Sequence, residues 1–223
     1  MNEILIANRL VKYLKEKGIQ FTEDGYPILK KEWYATTTPS KIVPFNKKQY
    51  FSGEKYISIC FFYCDESLYP RLERVIEELE IYKNYHSVCM MDISVSPYML
   101  DEVQKFNLLL NLLFIAVLGS EGIKIIPSFR SGNSETLNVI EECIPEPLFW
   151  VMGIVGTQKS KKNLYFDLLF LEKLLRLTPH KILCYGKLAK STYLDLKDAN
   201  IELLMYRDFR DLSYSKEIDY GRL

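Results

Sequence analysis

From Tyr56 onward the chain alternates short, almost wholly apolar runs with longer segments of helical periodicity. The runs are YISICFFYC (56–64), SVCMMDIS (87–94), IKIIPSFR (123–130), PLFWVMGIVG (147–156), KILCYGK (181–187) and IELLMYR (201–207). They are rich in β-branched and aromatic residues and lack the polar alternation of a half-exposed strand, which marks strands buried on both faces, the usual state in a parallel sheet. Between them lie helical patterns: 68–84 with Leu68, Leu72, Val75, Ile76 and Leu79 on one side, a strongly apolar stretch from about Val95 to Leu118, and 134–144 with Ser134 placed to cap it. A leucine-rich segment around 162–179, with Leu164, Leu168, Leu171, Leu174 and Leu175 as its packing stripe, and a short helix at 191–200 complete the series. Crossovers of this kind are nearly always right-handed and deliver parallel strands. The expected fold is α/β: a mostly parallel sheet of about six strands with crossover helices, curling into an incomplete β/α barrel, with a doubly wound open sheet as the alternative.

Before Tyr56 the pattern differs. Residues 3–17 read as a short amphipathic helix ended by Gly18, and Asp24-Gly25 suits a hairpin turn. Thr36–Thr38 before Pro39, and Pro44, disfavour a helix over 36–55, which reads as an extended arm crossing the surface. The domains are accordingly 1–55 (helix and arm), 56–210 (α/β core) and 211–223 (polar tail).

Composition narrows the function classes. Lys+Arg and Asp+Glu both total 29 in 223 residues, so no global charge holds a long nucleic-acid backbone, although a local basic patch can still take phosphate. The five cysteines form an odd set, with Cys60, Cys89 and Cys184 inside buried runs, as expected of reduced thiols in a cytoplasmic protein. The N-terminus lacks the order of a signal peptide, and the apolar stretch 108–118 is too short for a membrane span. The helix over 101–118, apolar almost all round, is either deeply buried or part of a subunit contact.

In either architecture the functional rim lies at the carboxyl ends of the strands. The residues falling there are Asp65, Asp92, Ser94, Ser128, Arg130, Thr157, Gln158, Lys159, Gly186 and Lys187. Asp65 and Asp92 on adjacent strand ends suit magnesium, which binds through one or two carboxylates plus phosphate oxygens. Their structural alternatives are a helix cap for Asp65 and a buried ion pair with Arg130 for Asp92. Asp92, Ser94, Arg130, Thr157, Gln158 and Lys159 are the candidate ligand-binding set. The turn GTQKSKKN places lysines at a helix N-terminus, where backbone N–H groups favour an anion. His86 and His180 sit at strand starts, the opposite end, which argues against a Cys–His nucleophile pair.

FFYCDES, MDISVSPYM, GIKIIPSF, WVMGIVGTQKSKK and PHKILCYGK, with the TPSKIVPF arm, resemble a domain-of-unknown-function family carried by phages, plasmids and other mobile elements of Gram-positive bacteria. The resemblance spans about residues 36–207. The family's paired acids at the first strand end stand here as Cys64-Asp65, and the aromatic of its P-D-F-S segment is replaced by Ile93. The resemblance implies a mobile-element protein with the α/β core above, and no particular reaction. Together these features suggest an accessory protein that binds a phosphate-bearing ligand (nucleotide or nucleic acid) or a host protein at the strand-end cleft without catalysis. The alternative is a magnesium-dependent phosphoesterase or nuclease in element replication or counter-defence.

Overall fold

The computed structural model describes residues 3–153 and 164–214. Helix α1 (Glu3–Glu16) is followed by the irregular segment that holds strand β1 (Lys41–Pro44). Then come β2 (Ile57–Cys60), the short helices α2 (Tyr69–Glu73) and α3 (Leu79–Tyr82), β3 (Ser87–Cys89), the long α4 (Asp101–Ser120), β4 (Ile125–Ile126), α5 (Ser134–Cys143) and β5 (Trp150–Gly153). Helix α6 (Leu164–Leu177), β6 (Lys181–Tyr185), α7 (Lys190–Asp198), β7 (Glu202–Tyr206) and α8 (Phe209–Tyr214) complete the chain.

The fold is α/β, and every ladder between these strands is parallel, in the orders β1-β2-β3-β4 and β5-β6-β7. The two sheets meet where Ser128 pairs with Val151: Phe129 N–H donates to Val151 O (2.7 Å), and Val151 N–H donates to Pro127 O (2.9 Å). Pro127 thus supplies only an acceptor, the role a proline can fill in a ladder. Earlier along the same edge of β4, Ala35 N–H bonds Ile125 O (2.9 Å), so residues 34–35 hold the edge that β5 takes over two residues later.

Alternate residues of the strands enter different cores. Ile42, Cys60, Phe62, Cys89, Ile126, Val151, Leu183 and Tyr185 meet one another in a single buried cluster. Their neighbours Ile59, Phe61, Val88, Ile125, Trp150, Ile182 and Cys184 join the helices. Side chains from β1 to β6 can share one interior only if the sheet curls round it, with Leu204 and Tyr206 of β7 closing in from the side. The curl is incomplete: among the described residues no ladder joins β7 to β1, and the Tyr206 hydroxyl reaches Pro39 O across the seam (2.8 Å). The inside is filled, not open. A Cβ on Gly153 would lie 2.2 Å from the Phe62 ring, so the glycine is what lets Phe62 cross the interior.

The six expected core strands are all present, and the arm supplies a seventh, β1, pairing along its whole length with β2. The apolar helix α4 is long enough to cross a membrane by length and composition, yet most of it is buried within the fold and α1 packs along it; it is the core helix. Several local expectations are corrected. The 68–84 segment is two short helices joined by turns, and Glu78, just before the second, is buried, where it takes the Tyr82 hydroxyl (3.0 Å) and pairs with Arg71. The cap of α5 is Asn133, whose Oδ1 accepts from Thr136 N–H (3.2 Å); the Ser134 hydroxyl donates instead to Glu172. On α6, Leu168, Leu171 and Leu175 are exposed, and the inward side is carried by Leu174 with Phe170 and Leu177. Within the polar tail, Leu212 of α8 packs on Val43, Phe51 and Ile57.

Gly153→Ala should cost about 1–3 kcal/mol by overpacking, and Phe62→Leu in the same chain should recover most of it. Thermal melts of the two single variants and the double variant measure this; additive losses would mean that the two positions do not compete for one space.

Candidate functional site

The parallel arrangement delivers the residues after each strand to one end of the sheet. At the end of β3 the chain leaves the ladder after Met90 N–H bonds Ile126 O (2.8 Å) and runs buried through Ile93. It is held there by amides from α4. Asn111 takes both backbone groups of Ile93, accepting from its N–H (2.9 Å) and donating to its carbonyl (2.9 Å). Asn107 donates to Ser94 O (2.8 Å) and Gln104 to Met99 O (2.9 Å), while Gln104 Oε1 accepts from Asn133 N–H (2.9 Å). Positions 104, 107 and 111 fall on one face of the helix. This polar stripe, on a helix otherwise apolar, fixes the loops after β3 and β4.

That scaffold brings Asp65, Asp92, Ser94 and Arg130 together. Asp65 does not cap a helix. Its Oδ1 accepts from the Ser94 N–H and hydroxyl (3.1 Å each), and its Oδ2 takes the N–H as well (3.3 Å), which ties the end of β2 to the loop after β3. Asp92 makes the bidentate pair with Arg130: Nη2 donates to Oδ2 at 2.9 Å and Nε pairs with Oδ1. Burial pushes the Asp92 carboxyl up to about 6; Arg130 pulls it down and the Asp65 charge adds a further push upward. At neutral pH it is mainly ionised, with its charge answered by the guanidinium. Thr157, Gln158 and Lys159, with the basic turn around them, lie outside the described residues.

Across the mouth, at the ends of β1, β2, β6 and β7, lies a cleft of about 150 Å³ lined by Pro44, Asn46, Lys47, Phe62, Tyr63, Tyr185, Asp208, Phe209 and Arg210. Phe62 and Tyr185 face each other with ring centroids 5.6 Å apart, and the Tyr185 hydroxyl accepts from Phe209 N–H (3.0 Å). Lys47 Nζ stands 5.2 Å from the centre of the Phe209 ring, and beside it Lys48 lies 4.0 Å above Phe45. None of these nine was among the expected ligand residues. The FFYC and CYGK runs could have flagged Phe62, Tyr63 and Tyr185, but aromatics at the end of a buried run read first as core. Lys47 sits in the arm, and Phe209 and Arg210 follow the last strand; only three-dimensional pairing brings those two ends together.

Among the described residues no group of three or more His, Cys, Asp and Glu is arranged to hold a metal ion. A magnesium ion at Asp65 and Asp92 would therefore have two carboxylates from the protein, both already engaged. His86 lies at the start of β3, bonded to Thr37 Oγ1 (2.8 Å) and Ser87 Oγ (3.0 Å), at the end of the sheet away from the mouth. Cys60, Cys89, Cys143 and Cys184 are buried free thiols, and burial raises the pKa of each, the reverse of what a thiolate nucleophile needs.

The fold and this site define an α/β protein with a curled all-parallel sheet and a polar mouth at its strand ends. The chain belongs to the family described as a domain of unknown function (DUF4417), whose sequence model matches residues 23–207. No curated protein and no solved structure matches it.

Arg130→Met should cost about 3–5 kcal/mol, because it strands a buried carboxylate. Asp92→Asn should change the pH profile instead. Its carboxyl is raised from 3.8 to about 6 in the folded chain, so its contribution to stability is present below the unfolded value and lost as pH rises through 6. Chemical denaturation from pH 4 to 7.5 should show a flatter profile in the Asn variant; an unchanged slope would assign the titration to another group.

Proposed function

We propose that this chain binds a phosphate-bearing ligand, a nucleotide or the end of a nucleic-acid strand, at the strand-end mouth and does not convert it. The observation that carries this reading is the division of charge across the mouth. Asp65 and Asp92 are occupied by Ser94 and Arg130, whereas the cleft opposite sets the half-buried Tyr63 and Phe209 rings next to Lys47 and Arg210, its one acid, Asp208, accepting from Asp211 N–H (2.9 Å). Aromatic surfaces accept a base by stacking and the cations accept phosphate, a combination common to sequence-tolerant nucleotide sites. The cleft is smaller than the roughly 300–1,000 Å³ of pockets that enclose whole ligands. It therefore takes one ring or one phosphate, with the rest of the ligand lying over the rim. Balanced overall charge fits a short ligand better than a long polyanion. The family resemblance adds the setting, an accessory protein of a mobile element working in the cytoplasm of a bacterial host.

The second reading, magnesium-dependent phosphoester hydrolysis, rests on the closeness of Asp65 and Asp92, since Asp65 accepts from Ser94, two residues after Asp92. It requires both carboxylates to leave their present partners for the metal.

Calorimetry against nucleoside mono-, di- and triphosphates and short single-stranded DNA, with and without magnesium, tests the proposal. Binding should be indifferent to magnesium, and Lys47→Ala with Arg210→Ala should weaken it about tenfold or more with little change in melting temperature. Magnesium-dependent turnover lost in Asp92→Asn would replace binding by catalysis, and no binding to any of these ligands would point to a host protein at the mouth instead.

A further inference from the structure

A second cleft, of about 330 Å³, opens between the turn over 22–26, helix α4 and helix α5. Helical spacing builds one of its walls: Glu135, Asn138, Val139 and Glu142 stand at i, i+3, i+4 and i+7 on a single face of α5. The two glutamates are about 10 Å apart along the helix axis, with the buried Val139 between them. Asp24 and Tyr26 form another wall. They are placed by the turn in which Gly25 N–H donates to Thr22 O (3.0 Å) and Tyr26 N–H donates to Thr22 Oγ1 (3.1 Å). Leu29 N–H then donates to Cys143 O (2.8 Å), which anchors this segment at the Glu142 end of α5.

The charge of the cleft is only partly answered. At one end Glu135 Oε2 takes Lys105 Nζ (3.3 Å) and its Oε1 is left open. Asp24 and Glu142 make no hydrogen bond or ion pair among the described residues. Arg176, which touches Asn138 Oδ1, is committed to Glu141 and Glu172. Tyr26 supplies a further, uncharged demand. It is 7% exposed, its hydroxyl makes no hydrogen bond among the described residues, and that oxygen is not sealed from solvent as the Tyr34 hydroxyl is. The open space it meets is this cleft. Burial raises the pKa of the hydroxyl and the Asp24 charge raises it further, so it stays neutral and offers its lone pairs to a donor.

The group these walls lack is a positively charged donor. A metal ion does not suit them, since among the described residues no three acids converge on one point. Carboxylates spread along a cleft with an apolar stretch between them suit a flexible chain charged at both ends. We propose that this cleft binds a linear aliphatic polyamine. One ammonium donates to Asp24, Glu142 and the Tyr26 hydroxyl, the methylenes cross Val139, and a second ammonium reaches the open Oε1 of Glu135. The volume lies at the lower end of the roughly 300–1,000 Å³ of small-molecule sites. The cleft shares no residue with the strand-end mouth, so its fate does not decide the ligand proposed there.

Calorimetry of the intact chain against spermidine, putrescine and butylamine, with magnesium chloride as the control cation, at about 0.01 M salt tests the proposal. Spermidine should occupy one saturable site at least about tenfold more tightly than butylamine, which can satisfy only one end, with putrescine between them. Asp24→Asn and Glu142→Gln should each weaken spermidine by about fivefold or more, and Tyr26→Phe, which keeps the ring, by about threefold. Glu16→Gln, which removes an exposed acid paired with Lys12 on α1, should leave the affinity unchanged. Asp24 and Glu142 are exposed, so their variants should keep the melting transition. Absence of saturable spermidine binding, magnesium bound as tightly as spermidine, or an affinity unmoved by Asp24→Asn and Glu142→Gln overturns the proposal.

Discussion

The structure depends on a constraint of direction: each strand lies parallel to its neighbour, so each must be reached by a crossover that returns to the same starting end. The helices exist to make those returns, and they cover the outer face of the sheet as they do so. The loops that follow the strands then have nowhere to go but one end. With the sheet curled far enough for Ile42, Cys89 and Leu183 to share one interior, that end becomes a mouth and not a row. Phe62 and Gly153 show how tight the curl is, since the ring of one occupies the space of the other's missing side chain.

Direction alone does not hold a mouth in shape, because loops at strand ends have backbone groups with no ladder to join. Here α4 supplies the partners. Its apolar surface places it deep in the core, and Gln104, Asn107 and Asn111 are the exceptions that make its position useful. A buried amide left without a partner costs about 1–3 kcal/mol, so these three are stable only if the loops after β3 and β4 come to them. Helix and loops therefore specify each other. The rigidity passes directly to Ser94, whose own N–H and hydroxyl then pin Asp65.

Much of this was legible in the chain. The six core strands could be read because each is a run of β-branched and aromatic residues between polar turns, a pattern that only burial on both faces explains. Asp92 and Arg130 could be paired because a carboxylate inside MMDISV needs a cation and the next strand end offers one. What escaped has physical reasons. Strand β1 is four residues long and ends in Pro44, so local pattern could not separate it from an extended loop; its partner β2 decides the matter. Leucines occur on nearly all sides of α6, so no periodicity selects the inward face, and Lys173 with Leu174 lies there instead. Asn133 and Ser134 are both good caps in adjacent positions, and the choice between them belongs to the loop that Gln104 holds.

The two sides of the mouth were unequally visible for a related reason. Acids at strand ends attract notice as chemistry, yet the packing that gathers them also gathers their answers: Ser94 for Asp65 and Arg130 for Asp92. A residue placed by a dense network is the one whose charge the fold has most fully met. Opposite them, Lys47 and Arg210 come from the arm before β2 and the turn after β7, stretches with no pattern of their own, joined only where the open seam lets the first and last strands approach. Lys47 is held by ring faces and Arg210 stands exposed on the rim. Such cations keep most of their capacity to bind an anion, since a ring offers a cation far less than a carboxylate does. The incomplete closure of the sheet thus sets where the basic side lies: a ladder between β7 and β1 would close the gap in which the arm and α8 meet.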